Sequence, residues 1–476
     1  MPSPSPAVPP CSESTSASKV DAAENIDGCS RLYGPRFWYA YAASTLVTIA
    51  SAILFRYADF VTILGGSELQ LGWIVGLGMV GSVLARFSLG SAIDQHGPKR
   101  IWLGSLVVLA ATCLAHLAIT RCDGPEIYLL RLLYCTSIAG VFGASTTFIS
   151  AGVNISRMAE LLGILGTSGF VGMMVGTHLG DVLAGPGPAE RWIINRMFIA
   201  AGLLVLAAIP FAWLSMRGIR RPAEKHEPAT WAILWKYQPG VVLAVGVVAG
   251  AALSLPQTFL RTYAEGIHIP RIGAFFTVVA LTAVTTRVVN RHVLQRLGLK
   301  AMVVIGLGLL ALAQVLFLVV DSEWEFLFPG LPYGMGQAIL YPVVAALGTA
   351  TFPARYRGMG ITLVLAVFDV GQLLAGPLAG GVIHGSEALG LPGYPTLFLA
   401  TSATLIGVGA IYWRSIHRPA SAPTPVQAMA VRLNFPVRGG RPVAVEAQAV
   451  CEVAIRQPIT PGPRAGSSRS TTAARR

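Results

Sequence analysis

The stretch Arg86-Phe-Ser-Leu-Gly90-Ser-Ala-Ile-Asp94-Gln-His-Gly97-Pro-Lys99-Arg100 begins as an arginine inside an apolar run and ends as a basic turn. The same framework returns as Arg287-x3-Arg291-x6-Gly298-x-Lys300. Arg287 follows Arg86 by 201 positions and Gly298 follows Gly97 by 201, so the chain reads as two related halves. At an offset of 200, Arg157 meets Arg357, Gly176 meets Gly376 and Gly180 meets Gly380.

A chain of 476 residues that is 54% hydrophobic and only 12% charged, with mean hydropathy +0.63, cannot place its apolar side chains in one soluble core of ordinary size. A helix that crosses the hydrocarbon of a bilayer needs ~20 mostly apolar residues. Windows of that length give twelve spans, at about 37–57, 72–92, 101–120, 126–150, 161–183, 197–216, 240–261, 272–291, 301–320, 326–350, 359–383 and 396–414. The expected fold is an all-α membrane protein. It has a cytoplasmic tail (1–35), a six-helix bundle (36–216), a cytoplasmic linker (217–238), a second six-helix bundle (239–414) and a basic tail (415–476).

The formal charge of +13 raises nucleic acid as a partner, but the position of the cations argues otherwise. With both termini inside, sixteen Lys and Arg residues before the last tail fall on the cytoplasmic side and five, Arg121, Arg191, Arg196, Arg261 and Arg271, fall outside. That asymmetry fits the positive-inside rule and places the chain in the cell membrane. The basic ends then attract anionic lipid, and no basic-aromatic element for nucleic acid is present. The six cysteines have no spacing suited to a disulfide framework or a metal.

The pattern Gly90-x3-Asp94-x2-Gly97-x-Lys99-Arg100 between the second and third spans resembles the signature loop of the major facilitator superfamily, and with twelve spans, a basic central loop and the repeat, the resemblance covers about 37–414. It implies alternating access by rocking one bundle against the other. Gly97-Pro98 makes a tight turn, Lys99 and Arg100 hold it in the cytoplasm, and Asp94 puts a carboxylate near the membrane edge. In the family such an acid faces the start of the eleventh helix, here near Met359, and gates inward opening. Gln295 stands at the matching place in the second half.

Ionisable residues inside spans are costly and mark candidate sites. Asp369 lies ~15 Å deep, counted from 359, where a carboxylate can exchange a proton or form a salt bridge. Arg86 and Arg287 lie roughly 9 Å and 6 Å from the inner ends of their spans, so they either snorkel to the interface or together grip a planar anion. Facilitators of nitrate and carboxylates resemble this in using arginines on these helices, although the fifth span lacks the Asn-rich Gly signature of nitrate carriers. Arg131 resembles the Arg of the proton-antiporter pattern Arg-x-x-Gln-Gly, with Tyr134 and Cys135 at the Gln and Gly positions; pairing with Asp59 is its simpler role. Arg56, Asp59, His178 and Asp181 fall near outer span ends, where charge is cheap.

Two small-residue stripes, Gly172-x3-Gly176-x3-Gly180 and Gly376-Pro377-x2-Gly380-Gly381, are expected to be helix-packing faces between bundles. Gln257, Tyr333, Gln337 and Tyr341 are cavity candidates on the seventh and tenth spans. The chain is thus expected to carry a small solute, with a proton as coupling ion and with export somewhat favoured over uptake. The runner-up is an anion carrier using Arg86 and Arg287, and the competing class is a non-transporting membrane sensor. No phosphate-cradling or paired-nucleophile motif points to an enzyme, and no cofactor or metal is expected. The expected state is a monomer.

Overall fold

The computed structural model describes residues 33–150, 155–185, 189–217, 235–353 and 356–417. The chain divides into Met1–Ile416 and His417–Arg476; the second unit lies almost wholly outside the described residues. Among the described residues there is helix and no strand.

The helices are α1 (Pro35–Ile63), α2 (Glu68–His96), α3 (Pro98–Ala115), α4 (Pro125–Ser150), α5 (Ile155–Ala184) and α6 (Arg191–Ser215), then α7 (Val241–Gly266). A continuous run, Gly273–Leu316, is broken at Gly298 into α8 (273–297) and α9 (Gly298–Val319). The series ends with α10 (Leu327–Ala350), α11 (Arg357–Ala388) and α12 (Gly393–His417). Nine of these twelve, among the described residues, are long and apolar enough to cross a membrane; α5, α8 and α10 are not in that set. In α10 the apolar run is diluted by Pro332, Tyr333, Gln337 and Pro342.

Helix boundaries have local causes. The Ser67 hydroxyl accepts the Gln70 N–H at 3.4 Å while the Gln70 carbonyl oxygen accepts the Ser67 N–H at 3.1 Å, a reciprocal cap that starts α2. Gly97, at φ 78° and ψ 150°, ends α2, and Pro98 opens α3. Gly298 adopts φ 76° and ψ 159°, nearly the same torsions at the repeat-related position. The shared break makes the repeat a feature of backbone geometry as well as of sequence. At the opposite end, N–H groups of Asp321 and Ser322 donate to the Glu325 carboxylate and hold it below the usual carboxylate range.

These breaks also set the place of two arginines in their helices. Hydropathy ends the second and eighth spans near 92 and 291, but both helices run on to their glycines because nothing earlier forbids helical torsions. Arg86 and Arg287 each lie eleven residues before that glycine, about 16 Å from the helix end.

Buried side chains form two large clusters. One is built mainly on α1, α3, α4 and α6 around Trp102, Phe60, Phe198 and Ile53. The other is built mainly on α7 to α10 around Phe275, Phe276, Phe317 and Tyr333. The glycine stripes pack differently from each other. A β-carbon at Gly172 or Gly176 would collide with Thr48 and Ile49 of α1, so the α5 stripe serves packing within the first half, not between halves. A β-carbon at Gly376 would collide with the Gly72 backbone of α2, and one at Gly380 would meet the Glu68 carbonyl at 2.7 Å. The α11 stripe therefore does join the halves, with main chain against main chain.

Candidate functional site

Arg86, Arg287 and Asp369 stand well inside their helices, and Arg131 lies in the second turn of α4. Asp369 on α11 is 3% exposed. Arg86 of α2 binds it bidentately, Nε to Oδ2 at 2.5 Å and Nη2 to Oδ1 at 3.0 Å, and the Ser82 hydroxyl donates to Oδ2 at 2.5 Å. Ser82 and Arg86 are four residues apart and so share one face of α2. The pair crosses between the two halves of the chain, and its planar fork-to-carboxylate geometry is the strong form of a charged hydrogen bond.

Asp369 has further neighbours on every helix around it. Cys135 of α4 and Tyr341 of α10 are within electrostatic reach. The α7 backbone at Val247, Gly250 and Ala251 packs on Phe368 and Gly371 and brings no titratable group. Tyr341 also stands within reach of Arg86 and Arg287. Its ring tilts against Phe368 with centroids 5.3 Å apart, yet 41% of the residue is exposed.

Arg287 does not meet Arg86 directly. Its guanidinium lies over the Phe170 ring of α5 at 4.8 Å, and among the described residues it has no carboxylate partner. Arg131 lies over the rings of Tyr57 and Tyr134 at 4.7 and 4.9 Å and likewise has no carboxylate partner among them. Its Nε is buried without a hydrogen-bond partner. The simpler role expected for Arg131, pairing with Asp59, is not found. Asp59 instead binds Arg56 at 2.8 Å and Arg261 at 2.8 Å, because both guanidiniums reach it first from α1 and α7.

Those contacts belong to a buried network at the end of the molecule opposite Gly97 and Gly298. Arg56 donates to Asp181 of α5 at 3.0 Å and to the Pro270 carbonyl at 3.2 Å. Asp181 accepts the N–H groups of Ile272 and Gly273 at 3.0 and 2.7 Å, capping the first turn of α8. His178 and Thr277 are hydrogen-bonded at 2.7 Å beside it. The four charged residues, Arg56, Asp59, Asp181 and Arg261, are all buried rather than at a wet interface. Sequence offered local hints, Arg56 with Asp59 and Arg261 with Glu265 at helical spacing, but not the links between distant helices.

Of the cavity candidates, Tyr341 is 41% exposed. Tyr333 is 2% exposed with its hydroxyl donating to the Leu253 carbonyl at 2.6 Å, which makes it a core residue. Gln257 and Gln337 are half-buried, and the Gln337 side-chain oxygen is buried without a hydrogen-bond partner. In the signature loop, Lys99 and Arg100 are exposed and Lys99 stands 6.0 Å over Trp213. The side chains of Gly90, Asp94 and 357–359, and so the expected gating contact, lie outside the described residues.

The model of the Major Facilitator Superfamily matches residues 37–289 and 242–461. In sequence, the uncharacterized MFS-type transporter YhhS of Escherichia coli (strain K12) is 24% identical over 398 residues, covering 78% of this chain and 93% of that protein. In structure, the nucleoside transporter NupG superposes with a TM-score of 0.64 at 12% identity, over 81% of this chain and 100% of its own. A bacterial homolog of the human lysosomal transporter Spinster, in an inward-facing and unoccupied conformation, gives 0.63 at 15% identity over 80% and 97%.

Proposed function

Since the chain belongs to the major facilitator superfamily, we propose that it moves a small solute across the cell membrane by alternating access, coupled to a proton taken up and released by Asp369. Two six-helix bundles, 36–216 and 239–414, joined by 217–238, rock against each other with both termini in the cytoplasm. The Gly90 to Arg100 turn latches the cytoplasmic end. The protein acts as a monomer without a cofactor.

The observation that carries this reading is the Arg86 to Asp369 pair. It joins the halves about 16 Å from the end of α2, and protonation of the acid removes one of its two charges. An unpaired charge inside the hydrocarbon costs ~2.5 to 3.5 kcal/mol or more, so making and breaking this pair bears directly on the balance between the two access states. Proton-driven flux into vesicles tests it. The Asp369→Asn variant should keep its fold and lose gradient-driven transport, and full activity in that variant removes the coupling role.

A second reading, that the solute is an anion, is favoured by the charge balance of these arginines and Asp369. Asp369 neutralises Arg86, while Arg131 and Arg287 have no acid partner among the described residues. A site with that excess attracts a negative ligand.

A further inference from the structure

The end of the molecule that carries the Gly97 turn holds a basic, aromatic pocket with no part in the solute pathway. The start of α1 and the end of α6 are tied there. The Ser215 hydroxyl donates to the Arg36 carbonyl at 2.9 Å, and Arg36 Nη2 donates to the Arg217 carbonyl at 3.3 Å. The second bond sets a cation beside the C-terminus of α6, where the helix dipole favours one. Against these two segments opens a pocket of about 530 Å³ lined by Arg36, Tyr39, Leu214 and Arg217, within the ~300 to 1,000 Å³ of small-molecule sites.

Cations gather at this pocket without acids. The Arg217 guanidinium lies over the Trp213 ring at 5.3 Å, and the Lys99 ammonium, from the start of α3, lies over the same ring at 6.0 Å. Arg36, Lys99 and Arg217 are all exposed, and none has a carboxylate partner among the described residues. Like charges from three helices at one place attract an anion.

The same place offers a track for an acyl chain. Ile199, Leu203, Leu206 and Trp213 are exposed at helical spacing and so share one face of α6. In a membrane protein that face meets lipid. Leu203 lies ten residues from Trp213, about 15 Å along the helix and half of the ~30 Å hydrocarbon thickness. Trp213 and Tyr39, whose ring tilts against Phe211 with centroids 6.4 Å apart, belong to the aromatic belt at the headgroup boundary. The repeat places like residues in the second half, since Lys236, Tyr237, Trp413 and Ser415 follow Arg36, Phe37, Trp213 and Ser215 by 200.

We propose that this pocket binds an anionic phospholipid. Its phosphodiester sits between Arg36 and Arg217, Lys99 adds attraction, and an acyl chain lies along the exposed face of α6. Guanidinium forks match phosphate oxygens in geometry as well as charge. A zwitterionic lipid is disfavoured because it brings a cation of its own into the cluster.

The test is native mass spectrometry and thermal shift of the purified, delipidated full chain, with phosphatidylglycerol, phosphatidylcholine and inorganic phosphate as probes. Phosphatidylglycerol should bind about tenfold or more tighter than phosphatidylcholine and raise the melting temperature, an effect that shrinks as salt rises. Each cation near a membrane surface contributes roughly fivefold, so Arg36→Gln with Arg217→Gln should weaken phosphatidylglycerol binding about tenfold or more. Arg121→Gln, exposed at the opposite end, should leave it unchanged. Equal affinity for the two lipids in the natural protein overturns the proposal, whatever the variants do. Full phosphatidylglycerol binding in the double variant overturns it too. Inorganic phosphate that protects as well as the lipid makes the pocket a site for free anions and removes the lipid.

Discussion

Asp181 on α5 accepts the N–H of Gly273 on α8 at 2.7 Å, so a carboxylate from the first half of the chain caps a helix of the second. A β-carbon at Gly273 would stand 2.9 Å from that same carboxylate, which explains a glycine at this place. The link also carries charge, because the other Asp181 oxygen holds Arg56 at 3.0 Å.

Asp181→Asn should therefore loosen this end of the molecule. Asn keeps the shape but loses the charge that Arg56 and the α8 terminus both attract, and breaking a buried pair costs about 3 to 5 kcal/mol when one partner is lost outright. The expected outcome is a faster reaction of a thiol engineered at Thr277 with a water-soluble maleimide, by tenfold or more. An unchanged labelling rate would show that Asp181 does not hold the two helices together.

The matched glycines give a paired expectation. Gly97→Ala and Gly298→Ala each force a β-carbon into positive φ, where no neighbouring atom crowds it and the penalty is purely torsional. Each should cost about 1 to 3 kcal/mol, and by similar amounts. Thermal unfolding of the two variants in detergent checks this, and a large difference between them would contradict the shared geometry.

Gln314 on α9 is fully buried, and neither its amide nitrogen nor its side-chain oxygen has a partner. It borders a void of about 10 Å³ with Leu255, Phe259 and Phe398. Gln314→Met, similar in volume and free of polar hydrogen-bonding needs, should raise thermal stability by about 1 to 3 kcal/mol. A loss of stability would mean that a water in the void satisfies the amide.

Much of this architecture was legible in the sequence because lipid imposes a simple rule: apolar runs of helical length, broken where torsions or charge demand. The exact ends were not, since hydropathy falls off at Arg291 and Gln295 while the helix continues until Gly298. Arg86 and Asp369 each announced themselves as expensive charges, but 283 residues separate them and no local spacing reports their union. Tyr333 read as a cavity group because it stands at turn-like spacing from Gln337 and Tyr341; in the fold its hydroxyl is spent on the Leu253 carbonyl. The cluster of Arg56, Asp59, Asp181 and Arg261 was hidden for a related reason. Charges near span ends look cheap one at a time, and only tertiary packing turns them into a dry assembly.

The main-chain contact between Gly72 and Gly376 has a mechanical consequence. With no side chain between them, α2 and α11 can neither slide nor separate there cheaply, so the crossing behaves as a fulcrum. Arg86 lies fourteen residues along α2 from it, a lever arm of about 21 Å, and a swing of about 10° would carry the guanidinium about 4 Å from its carboxylate. A tilt too small to disturb either core is thus enough to part the two charges.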